Sequence, residues 1–322
     1  MFDAEALAAA AETVYRQMPP TPQHAWPLLA GRLGAEVWVK HENHTPTSAF
    51  KVRGGITFMD WLRRTHPQVQ GVISATRGTH GQSMARAARA AGLRAVILVP
   101  RGNSVEKNAA MRGFGAELVE HGADFDEARE EAARRGAAEG LFFVPPFHRE
   151  LVRGVATYGW ELFRAVPDLD AVYVPIGAGS GICGVIAARD ALGARAEVVG
   201  VVSAAAPTAQ LSVAAGRPVA TDSARTFADG MAVRIPVPEA LAIYGPGAAR
   251  IVAVTDAEVA EAIRIYYSDT HNLAEGAGAA PLAALMQERG RWQGRKVAVI
   301  LCGGNIDADW FVTVLQGGVP AV

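Results

Sequence analysis

The sequence predicts an α/β fold in which a mainly parallel sheet is covered by helices, and two observations predict it. Short apolar runs bounded by Gly or Pro alternate with longer, Ala-rich helical stretches along nearly the whole chain, the pattern of repeated strand–helix–strand units. The segment Arg94 to Glu120 reads strand, helix, strand, one crossover whose right-handed course is nearly obligatory. At 322 residues the chain has room for two lobes or for one large α/β unit.

Taken in order, the apolar runs place strands at Glu36 to Val39, Gly71 to Ala75, Ala95 to Val99, Ala116 to Val119, Leu141 to Val144, Ala171 to Pro175, Glu197 to Val202, Arg250 to Val254 and Lys296 to Leu301. The stretches between them place helices at Val52 to Arg64, Gln82 to Ala91, Val105 to Gly113, Phe125 to Gly136, Glu150 to Ala165, Gly181 to Leu192, Asp256 to Ser268 and Pro281 to Gln287. Pro145-Pro146 interrupts the alternation after the fifth strand and marks a lobe boundary. Pro236-Val237-Pro238 with Gly245-Pro246-Gly247 predicts a long irregular connection. There is no internal repeat, and no low-complexity segment beyond the alanine bias.

Half of the residues are hydrophobic, 20% are charged and the formal net charge is -1, which gives no electrostatic case for a nucleic-acid or membrane partner. The start, Met1 to Leu7, is acidic and then Ala-rich, unlike a secretory signal, and no apolar run reaches spanning length. A soluble, cytoplasmic protein is expected. Cys183 and Cys302 could form at most one bridge, so a disulfide scaffold is excluded.

The chain holds 27 Arg but only four Lys, at 40, 51, 107 and 296. Lys51 lies in Thr47-Ser48-Ala49-Phe50-Lys51-Val52-Arg53-Gly54-Gly55. Arg cannot form an imine, so an amine beside an aromatic ring in a small-residue loop points to a Schiff-base lysine and to pyridoxal phosphate. A surface lysine at a helix start is the plain alternative for this loop taken alone.

Three further loops carry chemistry. Thr76-Arg77-Gly78-Thr79-His80-Gly81-Gln82 follows a strand and opens a helix, where outward-pointing amides favour an anion; a tight turn without a ligand fits the same pattern. Pro175-Ile176-Gly177-Ala178-Gly179-Ser180-Gly181 again joins strand to helix, and its small residues let the backbone close on a phosphate with the Ser180 hydroxyl adding a donor. Gly177, Gly179 and Gly181 step by two, and no carboxylate ends the following strand at Val201-Val202-Ser203, which argues against a nicotinamide dinucleotide site. Leu301-Cys302-Gly303-Gly304-Asn305 ends an apolar run, where the thiol could face a heterocyclic nitrogen or pack as a small hydrophobe.

Together these segments, from about Lys40 to Asn305, resemble the fold-type II pyridoxal-phosphate enzymes, in particular the threonine/serine dehydratase and serine racemase group. The resemblance implies a tryptophan synthase β-like architecture of two lobes, each an open twisted mainly parallel sheet with helices on both faces. Residues 1–47 and 148–322 would form the large cofactor-binding domain and residues 48–147 the small one. It implies that Lys51 is the catalytic Schiff-base lysine with Phe50 beside the cofactor. Gly177, Ala178, Gly179 and Ser180 would hold its phosphate, Cys302 would face the pyridine nitrogen, and Gly230 of Ala228-Asp229-Gly230 would pass near the ring. Thr79 stands where the group has an Asn on the ring hydroxyl. Thr76, Arg77, Gly78 and His80 would bind the substrate, His80 shaping its carboxylate pocket. Glu275 resembles an acid near the cofactor, and a charge at a helix start reads equally well there.

The departures are informative. Arg77 replaces the serine that serves the racemases as a base; a guanidinium stays protonated, which disfavours racemisation and leaves Arg77 free to hold a carboxylate or to form a structural ion pair. Gly200 to Ala206 supplies none of the carboxylates with which racemase-like members bind a divalent cation, and His41 with His44 lacks a third ligand before Pro46, so no metal is expected.

The implied activity is that of a lyase removing water and ammonia from a β-hydroxy-α-amino acid, of the threonine or serine type or else 3-phenylserine or 3-hydroxyaspartate. A cysteine opposite the pyridine nitrogen suits elimination, because it makes the cofactor a weaker electron sink than a carboxylate does. The alternatives are racemisation or β-replacement on the same fold and, from another class, a non-catalytic binder of a phosphorylated ligand. The partner is a small amino-acid substrate, a homodimer is one assembly open to the chain, and the lack of an extension past the motifs argues against feedback regulation.

Overall fold

The computed structural model describes residues 1–322. Ten strands form two sheets: β1 (Gln23–Ala25), β2 (Glu36–His41), β3 (Gly71–Ala75), β4 (Arg94–Val99), β5 (Glu117–Glu120), β6 (Phe142–Phe143), β7 (Ala171–Pro175), β8 (Glu197–Ser203), β9 (Arg250–Val254) and β10 (Lys296–Leu301). The helices are α1 (Ala4–Tyr15), α2 (Pro27–Leu33), α3 (Lys51–Thr65), α4 (Thr79–Ala90), α5 (Val105–Gly113), α6 (Phe125–Glu139), α7 (Arg149–Ala165), α8 (Ser180–Ala191), α9 (Thr208–Ala215), α10 (Pro238–Gly247), α11 (Asp256–Thr270), α12 (Gly276–Gln287) and α13 (Ala308–Leu315). This is the fold-type II architecture that the sequence predicts.

The chain divides into two units. The first comprises Met1–Ala8, Pro20–Phe50 and Ala156–Val322. It contains the six-stranded sheet in the order β1-β2-β10-β7-β8-β9, parallel except for the β1–β2 pair. β7, β8 and β10 are buried almost throughout, which is why each reads as a continuous apolar run rather than an alternating one. The second unit comprises Ala9–Pro19 and Lys51–Val155 and contains the parallel sheet β5-β4-β3-β6. Phe58, Leu62, Val72, Ile97 and Met111 pack within its main core cluster, and Ile73, Val96 and Leu98 pack with Ala128 and Ala132 in another.

The structure corrects two local expectations. The proline-rich stretch read as an irregular connection is helix α10, with Pro238 in its first turn, where a missing N–H costs nothing. Helix α12 begins at Gly276 and carries Pro281 in its interior instead of starting there. Every residue from Gly276 to Leu285 is buried, and that packing outweighs the poor helix propensity of Gly and Pro. Five elements escaped the sequence reading: α1, β1, α2, α9 and α13.

Candidate active site

Sheet topology brings two of the predicted loops to adjacent strand ends. β7 and β10 are parallel neighbours. From this pair the chain runs outward through α8 to β8 on one side, while β10 adjoins β2 on the other. A reversal of strand order leaves a crevice at the carboxyl ends of its two strands, the usual ligand position in an open α/β sheet. The loop after β7 is Ile176 to Gly179, and the loop after β10 begins at Cys302.

The backbone explains the small residues of the β7 loop. Gly179 has φ +98 immediately before α8, and a Cβ there would lie 2.6 Å from Ala240 Cβ. At Gly177 a Cβ would lie 2.2 Å from the carbonyl oxygen of Gly230, so the absence of a side chain admits the Ala228-Asp229-Gly230 segment. The first amides of α8 have no partner within the helix, and Ser180, its first residue, adds a hydroxyl. Free amides and a hydroxyl at a helix start are donors of the kind that favour an anion.

Backbone hydrogen bonds then tie the other candidates of this unit to the β10 end. Phe50 N–H donates to Cys302 O at 2.9 Å, Ala49 forms an antiparallel bridge with Gly303, and Glu275 N–H donates to Gly303 O at 3.0 Å. Glu275 Oε1 would lie 2.6 Å from a Cβ at Gly303 and 4.0 Å from one at Gly230. The Phe50 ring meets Tyr158 edge to face at 6.0 Å, and Tyr158 Oη donates to Gly181 O at 3.0 Å. Phe50, Gly177, Gly230, Glu275 and Cys302 thus form one connected cluster. Tyr158 was missed by the sequence reading, since an aromatic inside an amphipathic helix resembles any core residue.

The second unit starts with Lys51 as the first residue of α3. Its carbonyl accepts a 2.6 Å hydrogen bond from Ser83 Oγ of α4, which fixes the start of α3 against the helix that follows the Thr76 loop. That loop also lies at a reversal of strand order, because β3 is flanked by β4 and β6. Gly78 N–H donates to Thr76 Oγ1 at 2.9 Å, so an incoming anion meets the later amides of the turn, at the start of α4. A Cβ at Gly78 would come within 2.8 Å of the buried Lys107 side chain. Thr79 is half-buried at the first position of α4, while Arg77 is exposed and makes no ion pair within the chain.

His80 is 8% exposed, and burial first, then the charge of Lys51, holds its imidazole down to about 3. Its Nε2 lies 3.1 Å from Ser74 Oγ, which donates to Val144 O at 2.8 Å. Ser74 also escaped the sequence reading, although a hydroxyl inside a fully buried strand was a visible signal.

His41 and His44 stack at 5.0 Å. His41 Nε2 accepts from Trp26 Nε1, its Nδ1 faces Asn43 Oδ1, and His44 Nε2 faces Asn272 Oδ1. No group of three or more His, Cys, Asp or Glu side chains is arranged to hold a metal ion, and no helix is long and apolar enough to cross a membrane.

Residues 14–303 match the family described as pyridoxal-phosphate dependent enzyme. An L-threonine ammonia-lyase of Geobacter sulfurreducens is 36% identical over 291 residues, covering 90% of this chain and 72% of the relative. A putative threonine dehydratase of Sinorhizobium fredii is 32% identical over 320 residues, covering 98% and 96%. Among solved structures, a T.th. threonine deaminase superposes with a TM-score of 0.88 at 29% identity, covering 95% of this chain and 99% of that one.

Proposed function

Because the chain belongs to the pyridoxal-phosphate dependent enzyme family, in its fold-type II threonine/serine dehydratase and racemase group, we propose that it is a lyase converting a β-hydroxy-α-amino acid into a 2-oxo acid and ammonia. The observation that carries this reading is the 2.9 Å hydrogen bond from Phe50 N–H to Cys302 O. It anchors the residue next to Lys51 on the strand end that bears the thiol.

When bound, pyridoxal phosphate supplies an electron-withdrawing ring that stabilises negative charge on the substrate's α-carbon. The chain's residues fit that group. The α8 amides and Ser180 hydroxyl would hold the phosphate, the bare backbone at Gly177 leaves no side chain to obstruct it, and the Cys302 thiol would serve the ring nitrogen as a weakly polarising partner. Lys51 Nζ takes the proton from the α-carbon. Hydroxide leaves the β-carbon with one proton as water, and hydrolysis then yields the 2-oxo acid and ammonia. Removing the proton and losing the hydroxyl in quick succession needs only brief stabilisation of charge, which suits a thiol in place of a carboxylate.

Threonine heads the substrates because the relatives named above carry threonine in their names, and serine stands beside it as the smaller β-hydroxy amino acid. Arg77, exposed and free of ion pairs within the chain, keeps 3-hydroxyaspartate in the panel beside 3-phenylserine. The test is ammonia and 2-oxo acid release from this panel by the holoenzyme, with borohydride labelling mapped by peptide analysis. Label on Lys51 with ammonia from at least one member supports the reading. Label on another lysine, or inverted amino acid without keto acid, overturns it.

A further inference from the structure

Ser74 and His80 decide which hydrogen-bonding atom the first loop presents. The single hydroxyl proton of Ser74 is committed to Val144 O at 2.8 Å, because a carbonyl can only accept. His80 Nε2, 3.1 Å from the same oxygen, must therefore donate to it. An imidazole with its proton on Nε2 carries a lone pair on Nδ1. Nδ1 has no hydrogen-bond partner in the chain, although the residue is only 8% exposed. The ring stays neutral because burial, and secondarily the charge of Lys51, lower its pKa to about 3.

We propose that Ser74 is a positioning residue that locks His80 as the Nε2–H tautomer, and that His80 Nδ1 selects substrates by accepting a hydrogen bond from their β-hydroxyl. This rests on the dehydratase reading and identifies what recognises the hydroxyl. An α-carboxylate only accepts, so the Nδ1 lone pair would repel it; the hydroxyl is the side-chain group of threonine or serine that donates. The carboxylate is left to the backbone amides at the start of α4, and the His80 side chain to the hydroxyl. The same tautomer separates recognition from acid catalysis, since a neutral Nδ1 has no proton to give to the departing oxygen.

The experiment compares holoenzymes of the wild type, Ser74→Ala, Ser74→Thr and His80→Gln on L-threonine and on 3-chloroalanine, which eliminates from the same carbon without a hydroxyl donor. In parallel, ¹⁵N-histidine NMR reads the protonation of the His80 ring, its signals assigned by their loss in His80→Gln. The wild type shows a neutral ring with the proton on Nε2 between pH 6 and 8, and Ser74→Ala shows mixed tautomers. KM for threonine rises about tenfold in Ser74→Ala and His80→Gln, as expected for one lost hydrogen bond. The loss on 3-chloroalanine is at least about fivefold smaller than the loss on threonine in both variants, and Ser74→Thr restores the wild-type pattern. Equal losses on both substrates, or an Nδ1–H or doubly protonated ring in the wild type, overturn the inference. A wild type that eliminates from 3-chloroalanine yet releases no ammonia from any β-hydroxy amino acid overturns the dehydratase reading itself, an outcome visible without any variant.

Discussion

The carbonyl oxygen of Gly230 stands 2.2 Å from the point where a Cβ on Gly177 would sit. No side chain fits there unless the backbone of the Ala228–Met231 segment retreats. Gly177→Ala should lower stability by about 1–3 kcal/mol, the usual cost of overpacking, and weaken cofactor binding at least tenfold. Fluorescence titration of the apoenzyme with pyridoxal phosphate, beside urea unfolding, measures both. A variant with wild-type affinity would show that the loop does not depend on this close approach.

Lys40 is fully buried, and its ammonium donates to Thr21 O at 2.7 Å and to Glu161 Oε2 at 2.5 Å. Removing one member of a buried pair strands the other, so Lys40→Met should cost about 3–5 kcal/mol. The double variant Lys40→Met/Glu161→Leu should recover most of that loss, because no uncompensated charge remains. Urea midpoints of the two single variants and the double variant close the cycle.

Tyr158 Oη donates to the carbonyl of Gly181 in the first turn of α8 while its ring edge meets Phe50. Tyr158→Phe keeps the ring contact and removes the hydroxyl. A stability loss of about 1 kcal/mol is expected, with a lower cofactor affinity because the turn before α8 is held less firmly. Full retention of both quantities would mean that this hydroxyl does not position the turn.

The His41 imidazole, like that of His80, is lowered to about 3, chiefly by burial and next by its neighbour His44. The unfolded chain takes up each proton near the ordinary 6.5, whereas the folded chain resists it until about 3. Their contribution is therefore complete above pH 6.5 and falls as the pH drops, by about 1.4 kcal/mol per pH unit for each ring. His41→Gln should flatten the stability slope between pH 6 and 5 by close to that amount. Unfolding curves at half-unit pH steps detect it, and an unchanged slope would mean that His41 is already charged in the folded protein.

Much of the fold is legible in the sequence because a parallel sheet buried on both faces writes each strand as an unbroken apolar run. β7, from Ala171 to Pro175, and α5, from Val105 to Gly113, are found with their observed ends. The short pieces are harder to read. β1 is three residues long with two of them exposed, so no apolar pattern marks it. α12 contains a proline and glycines that argue against a helix until its burial is known. α1 was readable in principle, since Leu7, Ala10, Ala11 and Val14 recur at helical spacing and are all buried.

For the site, the lysine scarcity around Lys51, the small-residue steps at Gly177 to Gly181 and the cysteine at the end of β10 are one-dimensional signals. They exist because special backbone paths and reactive groups restrict which residues can stand at a position. The sequence by itself determined the family, the strand-by-strand plan and the candidate loops. Only the tertiary structure decided that Gly177 faces Gly230, that Phe50 hangs from Cys302, and that Ser74 stands between His80 and the Val144 carbonyl. Such facts depend on which strands are neighbours and where a single hydroxyl proton goes, and residues far apart along a chain carry no local mark of either.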